Sequence, residues 1–220
     1  KREGIRAEWA SYPSLPAGLK QQVDAICQAW ADEKALPEMG FTLGGLREIN
    51  DSDTRLLLAL DEEERIHAVT SWMPVHSGGE VVGLTLDVMR RDDSGFRLAI
   101  DFLIGQAALL AQDEGLQFIS LSGAPLAESG QCEESAELAD SRFAFAPVLD
   151  VMGSVMEPVY GFRSLLAYKK KFQVRFVPLY LAIPDIANAP AVGLAIAHAY
   201  LPNMSAISAV GVAAKLVSRD

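Results

Sequence analysis

The stretch LTLDVMRRDDSG, residues 84–95, carries an apolar strand pattern into two arginines and two aspartates. A carboxylate and a guanidinium at the open end of a strand can bind and orient a polar substrate. Asp87 would keep Arg90 in place, and Arg90 could hold a carboxylate, a phosphate or a developing oxyanion. Strict alternation sets Asp87 on one face with Thr85 and Met89, and Arg90 on the other with Leu86 and Val88. The two therefore converge only where a bulge or twist intervenes. The plainer reading is an ion pair at a strand end.

Asp101 is the one charge in LAIDFLIGQAALLA, where a helix should present apolar surface. A buried acid needs a cation, here Arg90, Arg91, Arg97 four residues earlier, or a substrate ammonium. The simplest choice is the pair Arg97 with Asp101. Further on, YGFRSLLAYKKKFQVRF holds Arg163, Lys169, Lys170, Lys171 and Arg175 with no acid among them. On a helix, Leu165, Leu166, Tyr168 and Phe172 would face the core and the lysines would point outward as a solvated face. The functional alternative is a local site for lipid or nucleic-acid phosphate.

Other chemistry is thinly supported. His67, His76 and His198 have no acid at triad or metal-ligand spacing and read as structural, and no metal is expected. No GxSxG elbow occurs, which disfavours a serine hydrolase. Cys27 and Cys132 lack CxxC spacing, which fits a reducing compartment. The chain has 220 residues, half of them apolar, 22% charged, with a net charge of −10. That supports a globular core and gives no global attraction to nucleic acid or anionic lipid, so an anionic partner must be met locally. No apolar run is long enough to span a bilayer and no signal peptide is visible. Residues 181–214 contain Asp185 as their one charged residue, but Pro184, Pro190 and Pro202 divide them into short pieces, read as apolar helices on the core or near a membrane.

The elements that must position these groups follow from periodicity. Val23, Ile26, Cys27 and Trp30 fall on one helical stripe within residues 17–34. PEMGFTLGGL reads as a loop in which Gly40, Gly44 and Gly45 allow tight backbone approach. TRLLLALDEE and RIHAVTSWMPV read as a hairpin turning at residues 61–64, and EVVGLTLDVM as the next strand. A helix over residues 95–112 closed by Gly115 follows, then LQFISLSG as a short buried strand. Residues 127–140, with five acids and no base, read as a solvated loop. FAPVLDVMGSVM and SLLAYKKKF predict two more helices and VRFVPLYLAI a last strand. This order predicts a mixed α/β sheet flanked by helices, as in the acyltransferase fold called GNAT. In that fold a helix start after the central strand binds the pyrophosphate of acyl-coenzyme A. Asp92 and Asp93 at that place would cap the helix and repel a pyrophosphate, which predicts another acyl donor.

Five ordered stretches, LPEMGFTLGGL, LDVMRRDDSG, AIDFLIGQAA, ISLSGAPLAES and PVYGFRSLLAYKKKFQVRFVPLYLAIP, resemble the C-terminal catalytic domain of the phosphatidylglycerol lysyltransferase family, from about Trp30 to Pro184. The resemblance implies the second of two tandem GNAT-like units on the cytoplasmic side of a membrane-embedded N-terminal region, moving a lysyl or alanyl group from aminoacyl-tRNA to the hydroxyl of phosphatidylglycerol or a related anionic phospholipid, with no cofactor. It implies residues 1–16 as the remnant of a basic connecting segment, 17–184 as the catalytic domain and 185–220 as apolar C-terminal helices. It sets Asp87, Arg90 and Asp101 at the active site, an acid holding the donor's ammonium, and Lys169, Lys171 and Arg163 on substrate phosphate. Leu166 and Leu179 stand where the family usually has arginine. The competing expectations are a GNAT-type N-acyltransferase using acyl-coenzyme A, and a non-catalytic module that binds lipid or tRNA.

Overall fold

In a computed structural model of the chain, the described residues are 4–33, 44–123, 162–177, 182, 184–188, 191–192 and 195. The chain divides into two compact units, Lys1–Ser122 and Gly123–Asp220. The expected loop at residues 127–140, the helix at 145–156, Cys132, His198 and most of the apolar tail lie outside the described residues.

The first unit is a five-stranded mixed sheet with strands β1 (Arg6–Ala10), β2 (Arg55–Leu60), β3 (Ile66–Ser77), β4 (Glu80–Arg91) and β5 (Phe118–Ser120) in spatial order 1-2-3-4-5. The first four pair antiparallel and β5 joins β4 in parallel, as a crossover helix requires. Arg6–Ala10, assigned from the sequence to a connecting segment, thus forms an edge strand. Helix α1 (Ala17–Glu33) buries Val23, Ile26 and Cys27 against Leu56, Leu58, Leu60, Val69 and Val88. Alternation turns Leu57 and Ala59 to the opposite face, where they are equally buried. Helix α3 (Ala99–Asp113) supplies Ala99, Leu103, Ile104, Ala107 and Ala111 to the core. The short helix α2 (Leu46–Ile49) precedes β2, with Ile49 fully buried. This is the expected mixed α/β, GNAT-like order.

Three irregularities interrupt the pairing of the sheet, one of them at Val82, which is skipped between the Val75–Gly83 and His76–Val81 pairs. On β3, Ala59 faces Ala68 and Leu60 faces Ile66, which leaves His67 as an extra residue. On β4, Thr70 faces Met89 and Trp72 faces Leu86, so Ser71 stands opposite both Asp87 and Val88. Ser71 is fully buried and its Oγ accepts the Val88 N–H at 2.9 Å, supplying the partner that the interrupted ladder lacks. At the other margin, Arg55 lies 4.1 Å over the Trp9 ring and forms two hydrogen bonds with Glu114, at 2.6 and 2.7 Å. Glu114 is the C-cap of α3, where a bare carboxylate would oppose the helix dipole.

Three expectations need correction. β5 is not buried, since Phe118 is 43% exposed and its neighbours are half-buried at the sheet margin. Helix α3 starts at Ala99 rather than Gly95, because a Gly95 N–H to Asp92 carbonyl turn precedes it. In the second unit, α4 (Phe162–Lys170) is present as expected, but residues 174–177 form no strand. No helix among the described residues is long and apolar enough to cross a membrane.

Replacing Ser71 by Ala would leave the buried Val88 amide without its acceptor. Loss of about 1–3 kcal/mol of unfolding free energy in urea titration is the expected result; an unchanged midpoint would show that the bulge does not depend on this bond.

Candidate functional site

The bulge in β4 meets the condition that alternation imposed on Asp87 and Arg90. Both reach Gly44, from opposite ends of its backbone. Asp87 Oδ1 accepts the Gly44 N–H at 3.0 Å, while Arg90 Nη2 donates to the Gly44 carbonyl at 3.2 Å. Arg90 also donates to the Cys27 carbonyl at 3.4 Å, and its guanidinium carbon lies 4.2 Å from the centre of the Trp30 ring. Only 4% of the residue is exposed, so helix α1 solvates the cation with a carbonyl and an aromatic face in place of water.

Asp87 is less well satisfied. Its Oδ2 is buried and has no hydrogen-bond partner among the described residues. An orphaned buried acceptor costs about 1–3 kcal/mol. Burial pushes the Asp87 carboxyl above its usual range; the Gly44 hydrogen bond and Arg90 pull it back, while Glu48 adds to the rise. A Cβ on Gly44 would stand 1.6 Å from Oδ2, so a side chain at position 44 would displace the carboxylate. Gly45, next in sequence, donates its N–H to Glu48 Oε2 at 2.8 Å, which anchors the start of α2.

Asp101 sits half-buried in the first turn of α3. Arg97 is exposed, and among the described residues no ion pair joins it to Asp101.

The turn between β4 and α3 differs from the sequence reading. Asp92 and Asp93 do not cap α3, whose N-cap is Leu98 without a side-chain hydrogen bond. Asp92 instead accepts the Ser94 N–H at 2.9 Å and pairs with Arg65 at 2.6 Å, and Asp93 pairs with Arg91 at 2.8 Å. Burial opposes ionisation of Asp92, but the bonds from Arg65 and Ser94 hold its carboxyl below the usual range. His67 completes the turn. Its Nδ1 accepts the Phe96 N–H at 2.9 Å, its Nε2 meets Asp61 Oδ2 at 2.9 Å, and its carbonyl accepts the Asp92 N–H. Contrary to the spacing argument, this histidine does have an acid beside it, brought there by the hairpin. Because Nδ1 accepts, Nε2 carries the proton. The amides of residues 92, 94, 95 and 96 are thus all bonded within the turn, which leaves them no N–H to offer a pyrophosphate.

In the second unit, Lys169 is turned inward. It is 6% exposed and donates to the Gly123 carbonyl at 2.7 Å, and burial lowers its pKa from 10.5 to about 8. Lys169 lies three residues after the buried Leu166, on the same helical face, which explains the departure from an all-outward lysine run. Lys171 is exposed, with Nζ 4.6 Å from the Tyr168 ring centre. Lys170 and Arg175 are exposed too. Arg163 belongs to α4, but its side chain is outside the described residues. Among the described residues no group of His, Cys, Asp or Glu could hold a metal ion. Sequence reasoning missed Trp30 as the support of Arg90 and His67 as the anchor of the turn. The glycine pair in TLGGL was the visible signal for the close approach at Gly44.

Comparison with known proteins adds a family. The family profile described as "Phosphatidylglycerol lysyltransferase, C-terminal" matches residues 1–183. An uncharacterized protein of Corynebacterium glutamicum is 44% identical over 200 residues, covering 91% of this chain and 24% of that protein. The lysylphosphatidylglycerol biosynthesis bifunctional protein LysX of Nocardia farcinica is 24% identical over 209 residues, covering 93% of this chain and 18% of LysX. The chain therefore spans less than a quarter of the length of these curated relatives. Among solved structures, L-PGS from Bacillus licheniformis superposes with a TM-score of 0.68 at 20% identity, over 90% of this chain and 56% of that one, which shows a shared fold.

Two pH dependences follow, of opposite sign. The folded-state pKa of Asp87 is raised, so its stability contribution is complete below the ordinary value of 3.8 and is lost as pH rises through the folded value. Asp87→Asn should lack that loss, which parallel urea titrations of both proteins across acid pH would reveal. The folded-state pKa of Lys169 is lowered, so the folded state gains stability as pH rises from about 8 to 10.5. Lys169→Met should flatten that gain; an identical slope in both proteins would contradict the burial of the amine.

Proposed function

We propose, because the chain belongs to the family of phosphatidylglycerol lysyltransferase C-terminal domains, that it performs the aminoacyl-transfer step of lipid lysinylation or alanylation. The donor is an aminoacyl-tRNA and the acceptor is the hydroxyl of phosphatidylglycerol or a related anionic phospholipid. The observation that carries this reading is the convergence of Asp87 and Arg90 on Gly44.

The reaction needs an activated ester, a hydroxyl and a well-shaped site. The lipid hydroxyl oxygen attacks the carbonyl carbon that links the amino acid to the terminal ribose. A new carbon–oxygen bond forms as the bond to the ribose oxygen breaks, and the hydroxyl proton ends on that ribose oxygen. In this reading Asp87 or Asp101 binds the donor's α-ammonium, and Arg90 orients the acid or the developing oxyanion. Since the ester is already activated, positioning supplies much of the rate. Phosphate falls to Lys171 and Arg163, with the exposed Lys170 and Arg175 beside them in sequence. Lys169 is assigned a supporting part, because its ammonium is buried on a carbonyl.

One observation weighs against an acyl-coenzyme A donor. A pyrophosphate needs unpaired amides at the strand–helix turn, and Asp92 and His67 already accept those of residues 92, 94, 95 and 96. In this reading the chain works with a membrane-embedded N-terminal region, at the cytoplasmic face of a membrane.

The test supplies labelled aminoacyl-tRNAs and phosphatidylglycerol vesicles to the full-length protein and extracts the lipid. Labelled lipid should form, and Asp87→Ala and Arg90→Ala should each lower its rate by about 100-fold or more. Undiminished labelling in both variants would remove the site assignment, and labelling supported by acyl-coenzyme A alone would overturn the donor.

A further inference from the structure

Helix α3 begins without a capping side chain of its own, and a histidine from a neighbouring strand holds its approach instead. The bulge on β3 leaves His67 out of the pairing with β2 and aims its ring at the turn that leads into α3. The Ile66 amide beside it is taken by Gln22 Oε1 at 2.8 Å, so α1 fixes the bulge from its own side. His67 is buried. Its Nδ1 accepts the Phe96 N–H, and the Phe96 carbonyl in turn accepts the N–H of Ala99, the first residue of α3. Asp101 stands two residues further on, in the same first turn. The ring also presses on Gly95, where a Cβ would lie 2.9 Å from Nδ1.

We propose that His67 is a proton-operated positioning residue: neutral, it clamps Phe96 and with it the first turn of α3 that carries Asp101, and charged, it lets that turn go. The importance of Asp101 rests on the aminoacyl-transfer reading; the latch itself does not. The two ring nitrogens respond to a proton in opposite ways. Nε2 keeps its bond to Asp61 Oδ2, and that pair becomes ionic. Nδ1 loses its free lone pair, gains a hydrogen and then faces the Phe96 N–H donor to donor. Gly95 and Phe96 are half-buried, so the released amide can reach water while the sheet stays folded. Arg65 still holds Asp92 and Ser94 at the near end of the turn, which confines the movement to the residues just before α3.

The charges around the ring leave this event visible. The Arg65 N–H, followed by His67 itself, holds the Asp61 carboxyl below its usual range, so Asp61 stays ionised while an imidazole titrates. The other charges at this end of β3 are paired among themselves: Arg65 with Asp92, Arg91 with Asp93, and Arg6 of β1 with Glu64. Helix α1 presents the neutral Gln22, and Arg97 on the approach to α3 is exposed to water. The neutral ring closes the latch, so the first turn of α3 is fixed at the upper end of the imidazole titration and released as pH falls through it.

NMR of the 220-residue chain tests this without a transfer assay, so failure of the latch and failure of the aminoacyl reading are told apart. Imidazole carbon and nitrogen shifts between about pH 5 and 8 give the charge and tautomer of His67. At high pH the ring should be the Nε2–H tautomer. As it charges, protection of the Phe96 amide and of the Phe102 amide, which closes the first turn on the Leu98 carbonyl, should fall about tenfold or more with the same midpoint. These protections are corrected for the intrinsic pH dependence of exchange, and that of Val88, bonded to the buried Ser71, should stay constant. Asp61→Asn removes the carboxylate that favours the cation and should move the ring and amide midpoints together, about one pH unit lower. His67→Gln keeps an acceptor oxygen without a titration and should flatten the loss; where that variant does not fold, the joint shift in Asp61→Asn decides. A ring that charges while Phe96 stays protected would overturn the latch, as would a ring that stays neutral until the sheet unfolds. Loss of protection at Phe96 with Phe102 unchanged would overturn the positioning role.

Discussion

The extra residue of β4 at Asp87–Val88 is the constraint on which the site depends. With regular pairing, Asp87 and Arg90 would leave the strand on opposite faces. Ser71 absorbs the insertion by facing two residues and bonding the amide that the ladder leaves over. Only then can one glycine receive both side chains. The cost is local and the return is geometric: a carboxylate and a guanidinium held within reach of each other by backbone groups that cannot change rotamer.

Around that point the chain satisfies its charges from within. Arg90 draws on a helix carbonyl and an indole face, Asp92 on Arg65 and Ser94, and Asp93 on Arg91. The consequence for ligand choice differs from a simple field effect. With their carboxylates paired, Asp92 and Asp93 exert little net repulsion on an anion. The amides of residues 92, 94, 95 and 96 are engaged instead, one of them by an imidazole from a neighbouring strand, and an engaged amide has no N–H left for an anion. Selectivity by prior occupancy is insensitive to ionic strength, whereas selectivity by repulsion would fade with salt.

The parts legible in the sequence were those governed by local period. The apolar stripe of α1, the hairpin turning at residues 61–64 and the charged end of β4 all follow from spacing within a dozen residues. The departures arise from long-range partners. Asp92 looked like a helix cap until Arg65, 27 positions away, claimed it. Trp30 sat on the expected stripe, but no periodicity announces that its ring covers a buried arginine. Lys169 shared a helical face with Leu166, yet the usual preference of lysine for water hid the fact that a carbonyl 46 positions earlier would receive it. Asp87 and Arg90 could be suspected from their types, and the condition for their meeting could be stated. The residue that fulfils it, Ser71, lies on the partner strand and carries no local signal.

The clamp of Arg55 on Trp9 and Glu114 bears on where this fold can be excised. Residues 6–10 are the outermost strand, and the indole they contribute lies beneath the guanidinium that neutralises the closing carboxylate of α3. A fragment trimmed to begin at the first helix would bare the edge of β2 and remove the stacking platform of Arg55. The folding unit is thus wider than the stretch from α1 to β5, and its leading and trailing ends are best regarded as one seam.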